Sequence, residues 1–422
     1  MKARLLLLSV VAILAVSSPA SAAPVLVDAE HGVAVNLGVF LQPWFQVTAP
    51  AVTDGGSKGI GAPDGSGPSF DFFLRRVRLM AFGSVTKNLS FFVETDQPYF
   101  GRGGDFTTSI FIQDAFLTYT FSPAFRIDAG MLLVPFSRQT IEGAIGLHAL
   151  DYHADLIRLP AGKVWRDTGV QIRGLLAGDH IHYRLGLFEG VRNSAAPTIA
   201  IPPAAPGETA PTPLAPLNDN GLPRLTAQVR FNLLGTEGDF FLKGIYFSQT
   251  PLVSFGLGVD YQPGAVYQDI PPGTAFATLP GNSPQTAIAP GDYVALSLDA
   301  FVEYPLFADD ELLAKANLFY YGEGSSRIPG STALPSGGLG FFVEAGYRHG
   351  WIEPLAFLEY LRGGDNTLEI IAPHVGVNFW LSQHNFNLKA DVGYRRTESL
   401  VDATTTDTRE DILGTLQAQL YF

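Results

Sequence analysis

Apolar and polar residues alternate along most of the chain, in runs of about ten residues separated by turn chemistry. In VAVNLGVFLQPWFQV, Val33, Val35, Leu37, Val39, Leu41, Phe45 and Val47 share one face; Asn36, Gly38, Gln42 and Gln46 share the other. FRIDAGMLLVP sets Phe125, Ile127, Ala129, Met131 and Leu133 against Arg126 and Asp128. DYVALSLDAFVEY sets Val294, Leu296, Leu298, Ala300 and Val302 against Ser297, Asp299 and Glu303. FNLKADVGYR repeats the pattern, with Asn387, Lys389, Asp391 and Arg395 on its polar face. A period of two places successive side chains on opposite faces of a strand. Gly and charges of both signs recur on the polar face, while the apolar face is continuous and ends in aromatics. A soluble sandwich would present a water-facing side richer in Lys and Glu. The pattern predicts strands with lipid on one side and a lumen on the other.

Short turns at Lys87, Ser122, Gly178, Asp309, Gly350 and Gln383 alternate with long segments near residues 48–71, 97–109, 136–165, 189–222, 263–290, 322–337, 362–370 and 396–410. Bacterial barrels pair short periplasmic turns with long extracellular loops in this way. One further apolar run, FFLKGIYF at 240–247, would make the strand count odd and reverse every later strand. Assigned to a periplasmic connection, it leaves about sixteen strands. The expected fold is all-β: a transmembrane antiparallel β-barrel of about 16 strands over residues 33–422, with both termini periplasmic. The Pro- and Ala-rich stretch 196–216 reads as loop with no core to join.

The start of the chain gives its destination. Lys2 and Arg4 precede an apolar run from Leu5 to Val16, shorter than the roughly 20 residues of a spanning helix. Ala20-Ser21-Ala22 fits a cleavage site, so residues 1–22 read as a signal peptide and 23–32 as a short periplasmic segment before the barrel. Charged residues make up 16 % of the chain, against about 25 % in ordinary soluble domains. The absence of Cys excludes thiol nucleophiles and iron–sulfur clusters, and a net charge of −13 argues against a nucleic-acid partner. The implied setting is the outer membrane of a Gram-negative-type bacterium, with membrane lipid and the barrel-insertion machinery as partners.

FFLRRVRLMAFGSV (72–85), DAFLTYTFSPAFRIDAGMLLVPFSRQ (114–139), YRLGLFEGVRN (183–193), DYVALSLDAFVEYPL and the segment 339–395 follow one another in an order that resembles the phosphate-selective porin O and P family. That resemblance implies an outer-membrane channel, commonly trimeric, with a loop after the fifth strand folded into the pore. One departure touches selectivity. The family often carries a basic residue shortly before its PF pair, where this chain has Leu132, Leu133 and Val134.

Strand parity gives a predicted lumen. Its basic members are Arg76, Arg78, Arg126, Arg173, Arg184, Arg230, Lys315, Arg348, Lys389 and Arg395. Its acidic members are Glu94, Asp96, Asp114, Asp128, Asp260, Asp299, Glu303, Glu344, Glu359 and Asp391. Arg76 and Arg78 lie roughly 7 Å apart on one strand face. They could hand an anion along, or pair with Glu94 or Asp96 on the next strand. The segment 136–165 is the expected constriction, with Arg138, Arg158 and Lys163 against Glu142, Asp151 and Asp155. Its alternative is a plain outer loop over the mouth. His148, Asp151, His153 and Asp155 could bind a metal, but their spacing is no evidence of convergence, and no metal or other cofactor is expected. The catalytic signatures of hydrolases and metalloproteases are absent, so an enzyme is not expected. The final LQAQLYF is predicted to be the last strand, pairing with the first, with Phe422 as an interfacial aromatic and assembly signal.

The leading reading is a water-filled porin for passive diffusion of small hydrophilic solutes and ions, with anion preference among its expectations, assembled as a homotrimer. Its alternatives are a phosphate- or oxyanion-specific porin, a barrel lipase or protease, and a closed structural barrel.

Overall fold

The computed structural model describes residues 25–28, 30, 32–50, 68–157, 165–192, 217–270, 287–307, 309–322, 337–363, 368–400 and 406–422. A three-residue strand, β1 (Leu26–Asp28), precedes sixteen longer ones. These are β2 (Val33–Pro50), β3 (Ser69–Ser84), β4 (Leu89–Asp96), β5 (Phe111–Ser122), β6 (Phe125–Leu133), β7 (Arg166–Leu176), β8 (Ile181–Phe188) and β9 (Arg224–Leu234), then β10 (Leu252–Ile270), β11 (Ala287–Phe307), β12 (Asp310–Tyr321), β13 (Gly338–His349), β14 (Ile352–Gly363), β15 (Leu368–Ser382), β16 (Phe386–Leu400) and β17 (Thr406–Tyr421). From β2 onward each strand pairs antiparallel with the next, and β17 returns to β2. The result is a closed sixteen-strand barrel, which leaves no open edge.

The closing seam involves the last residue. Leu420 lies opposite Leu41 and Tyr421 opposite Phe40. Val39 then donates its N–H to the Phe422 carbonyl at 2.8 Å and accepts the Phe422 N–H at 3.1 Å. Past that point the edge of β2 is taken up by β1, with Val27 opposite Ala34.

Alternation along the strands becomes an outside and an inside. Leu257, Leu298, Val343, Val375, Val392 and Leu416 point outward and are roughly half exposed. A continuous apolar outer surface of this kind needs lipid rather than water around it. The inward face is mixed rather than uniformly polar. Phe40, Phe116, Phe188, Phe301, Phe319 and Phe342 are buried inside the ring, alongside nearly all the inward charges.

Two expectations are corrected, and a third is refined. Segments 263–290 and 396–410 contain more strand than expected, since β10 runs to Ile270, β11 starts at Ala287, β16 runs to Leu400 and β17 starts at Thr406. Backbone pairing continues above the apolar band, with Thr397 opposite Arg409 and Glu398 opposite Thr408. Polar side chains on both faces there erase the periodic signal. Leu133 does not face outward. It packs against Ile141 and Leu242 inside the barrel, because the chain turns inward at that residue. As expected, 240–247 lies in the β9–β10 connection. It enters the lumen, where Leu242 and Ile245 are fully buried.

Candidate functional site in the barrel lumen

The segment between β6 and β7, after the fifth barrel strand, folds into the ring. Pro135 ends the extended run, and Ser137 caps a one-turn helix, α1 (Arg138–Ile141). Ser137 Oγ accepts the Thr140 N–H at 3.1 Å and Thr140 Oγ1 accepts the Ser137 N–H at 3.0 Å, a reciprocal capping box. The PFS motif therefore has a local physical role: stop, anchor and cap. Phe136 is its anchor, buried with Leu156, Phe319, Tyr321 and Phe342 in an apolar cluster shared by loop and wall. The wall makes room with glycine. A Cβ on Gly258 would sit 1.6 Å from the Phe136 carbonyl oxygen, and one on Gly346 would sit 2.6 Å from His148 Nε2.

Charges then fix the loop on several sides. Arg138 pairs with Glu142 at 2.9 Å and with Glu237 at 2.5 Å, and its backbone N–H reaches Asp299. Glu142 also pairs with Lys315 at 3.2 Å. The Lys389 ammonium donates to the carbonyls of Leu147 and Ala149 at 2.7 and 2.8 Å. Asp155 meets Arg395 at 3.0 Å. On the opposite wall Asp151 takes Arg75 Nε at 2.7 Å and also Arg76 Nη2. Burial pushes the Asp151 carboxyl up, but the Arg75 and Arg76 guanidiniums outweigh it and hold the carboxyl well below the usual range.

Two histidines pin the middle of the loop. His153 places Nε2 2.8 Å from Glu344 and Nδ1 2.6 Å from Glu359, and stacks on Phe342 at 3.9 Å. His148 Nδ1 meets Glu344, while its Nε2 lies 2.9 Å from Glu353 as an ion-pair contact outside hydrogen-bond alignment. A carboxylate facing each ring nitrogen favours the doubly protonated imidazole. Burial opposes that charge, but the facing glutamates overcome it and raise both rings to about 9. Among the described residues, no group of His, Asp and Glu has the arrangement to hold a metal ion.

The β9–β10 turn supplies the second half of the plug. Leu242 exchanges backbone hydrogen bonds with Ile141 and Gly143, and Gly244 donates to Gly146. Buried Glu237 ties Arg138 to Arg230 and Ser254. Phe240 stacks on Phe116 of the wall, and Phe241 packs at a tilt against Phe92.

Arg78 pairs with Glu94 at 2.7 Å and Asp96 at 3.0 Å, on the next strand. Arg76 instead meets Gln42 and Asp151. Asp114 pairs with Arg166, Asp128 with Arg173, and Glu344 with Lys315 and both histidines. Arg230 pairs with Asp299, and Arg348 with Glu311 near the short-turn rim. Arg126 and Arg184 face the lumen from β6 and β8, where Arg184 Nη2 donates to the carbonyls of Asp239 and Phe240. Arg158 and Lys163 lie outside the described residues.

The signs segregate around the ring. Guanidiniums predominate on β3 to β9, whereas on β10 to β17 carboxylates such as Asp260, Asp299, Glu303, Glu311, Glu344, Glu353 and Glu359 do.

Parity reading missed several of these residues. Arg75 is the extra residue of a β-bulge, since Gln42 pairs with Arg76 but Pro43 pairs with Leu74. The bulge aims Arg75 inward over Tyr99, 4.2 Å from the ring centre. Pro43 marks the spot in sequence, because it cannot donate to the ladder. Arg166 and Arg224 open their strands and were hidden by adjoining loops. Glu353, in WIEPLAF, obeys simple alternation and could have been found.

The model of the family described as phosphate-selective porin O and P matches residues 59–211. No curated protein sequence matches the chain. Among solved structures, the outer membrane channel DcaP of Acinetobacter baumannii is 13 % identical over 92 % of this chain and 97 % of its own, with a TM-score of 0.55. Pseudomonas putida OprB is 8 % identical over 92 % and 94 %, with a TM-score of 0.56. Salmonella typhi OmpF is 10 % identical over 92 % and 98 %, with a TM-score of 0.50. At these identities the likeness is one of fold.

Proposed function

We propose that this protein is an outer-membrane porin, a channel for passive diffusion of small hydrophilic solutes and ions, constricted by the loop that enters after the fifth barrel strand. The observation that carries the reading is the closed barrel with an apolar exterior and a charged interior crossed by that loop. The family match over residues 59–211 and the fold of DcaP, described as an outer membrane channel, support it. Guanidiniums along β3 and β6 to β8 favour a mild preference for anions, since rings of Arg attract them. The homotrimer implied by the family resemblance is proposed with it, as are membrane lipid and the insertion machinery as partners.

Planar-bilayer recording tests this. Purified protein is expected to give discrete conductance steps, with a reversal potential in a salt gradient displaced toward that of the anion. A folded sample without conductance would defeat the channel reading, and a cation-directed reversal potential would defeat the anion preference. Unheated gel migration at the trimer mass checks the assembly.

A further inference from the structure

The β9–β10 turn is fitted to one stretch of wall. Gly235, at φ +63°, turns the chain off β9. Gly238 then passes so close to β7 that a Cβ there would sit 2.8 Å from the Leu175 side chain. Between them, buried Glu237 pairs with Arg138 and Arg230. Phe240 stacks on Phe116 with ring centres 4.3 Å apart, Phe241 packs at 5.1 Å against Phe92, and the two rings meet edge to face at 4.8 Å. Leu132 and Phe188 complete an apolar cluster that reaches from β4 to β8.

What this cluster covers is charged. The Phe240 ring centre lies 5.1 Å from the Arg173 guanidinium and 5.5 Å from that of Arg184. The carbonyls of Asp239 and Phe240 accept from Arg184 Nη2. Arg173 and Arg184 are 5 % and 1 % exposed. Arg173 pairs with Asp128, whereas Arg184 draws on the ring face and the two carbonyls. Guanidiniums select anions most strongly when the ions pass beside them. An ion on the far side of the Phe240 ring is about a Debye length, about 8 Å at physiological salt, from either charge, and attraction over that distance is largely screened. The turn presents a pair of its own to water instead: Lys243 and Asp239, 3.8 Å apart, have side chains 43 % and 58 % exposed.

We infer that the β9–β10 turn is a second constriction, and that Phe240 and Phe241 are selectivity-determining residues that mask the guanidiniums of β7 and β8 from passing ions. The inference rests on the channel reading. The turn takes space from the lumen and replaces two wall cations with a self-neutralised pair, so the anion preference stays mild although the wall beneath is cationic. Its backbone hydrogen bonds to Ile141, Gly143 and Gly146 tie it to the β6–β7 loop, so the two constrictions meet in the middle of the ring.

Planar-bilayer recording and arginine labelling of the full-length protein test this. The Phe240→Ala, Phe241→Ala variant is expected to raise single-channel conductance and move the reversal potential further toward that of the anion. Arg184→Gln is expected to cost more anion preference in that background than in the unmodified protein. An unchanged reversal potential in the folded, conducting double variant overturns the inference, as does an equal effect of Arg184→Gln in both backgrounds. If the double variant does not fold, Phe240→Ala alone decides by the same criteria. Labelling with an arginine-specific dicarbonyl, mapped by mass spectrometry, needs neither a variant nor conductance. Arg184 is expected to react far more slowly than Arg192, whose side chain is 68 % exposed. Equal rates in the unmodified protein overturn the mask. Conductance with fast labelling defeats the mask alone, whereas slow labelling with no conductance in any form defeats the channel reading and the selectivity role with it.

Discussion

At the scale of single residues, what an inward charge does depends on what faces it. Arg76 and Arg78 share a strand face two residues apart, yet Arg78 is consumed by Glu94 and Asp96 while Arg76 reaches the loop. Arg78→Gln would leave two buried carboxylates facing each other without their cation. Breaking a buried pair from one side costs about 3–5 kcal/mol. Urea unfolding in lipid vesicles is expected to show a loss of that order, with part of it recovered in the Arg78→Gln, Glu94→Gln double variant. A loss within error of zero would mean the pair is solvated. Asp151 is a tethered carboxylate seated on Arg75 and Arg76. Asp151→Asn frees both guanidiniums and is expected to move the reversal potential further toward the anion, and an unchanged potential would place the pair off the ion path.

The loop and the β9–β10 turn behave as one folded element with its own small core, and the wall is shaped to receive it. Gly258 is the tightest fit. Gly258→Val puts side-chain atoms where the Phe136 carbonyl lies, so the loop is expected to undock, raising single-channel conductance and exposing the loop to trypsin. The histidine pins give this element a pH dependence. Around His148 and His153 stand Glu344, Glu353 and Glu359 from the wall, with Lys315 and Lys389 beside them. Both rings have pKa values raised to about 9, from about 6.5 when unfolded. Their stabilisation is therefore complete below about 6.5 and is lost as pH rises through about 9. Protease resistance of the loop should persist at neutral pH and fall between pH 8 and roughly 10, with the fall absent in a folded His148→Gln, His153→Gln variant. A flat profile in the unmodified protein would remove ring charge from the forces that hold the loop.

For the whole molecule, the closing seam of the barrel extends to its last residue. Phe422 exchanges two backbone hydrogen bonds with Val39, and its removal leaves both Val39 groups unpaired at the seam. In a bilayer such groups find no water to replace the lost partner. Deleting Phe422 is expected to lower the folded, heat-modifiable fraction in cells severalfold. Normal heat-modifiable folding of the truncation would remove the assembly role from this residue.

Period-two alternation determined the barrel, its strand number and its closure, because a strand in lipid must hide every backbone group in a neighbour and show apolar side chains on one face. The alternation of short turns with long loops, rather than the period of two, kept 240–247 out of the wall. Alternation says which residues point inward, but not what they meet there. Arg75 needed a bulge to turn inward, and Leu133 needed the chain to leave the wall. The seating of His148 between Glu344 and Glu353 joins residues about 200 positions apart. Those contacts depend on where an irregular loop and a turn, entering from opposite rims, come to rest inside a ring of fixed width. Short-range periodicity carries no record of that distance, so only the tertiary structure decided it.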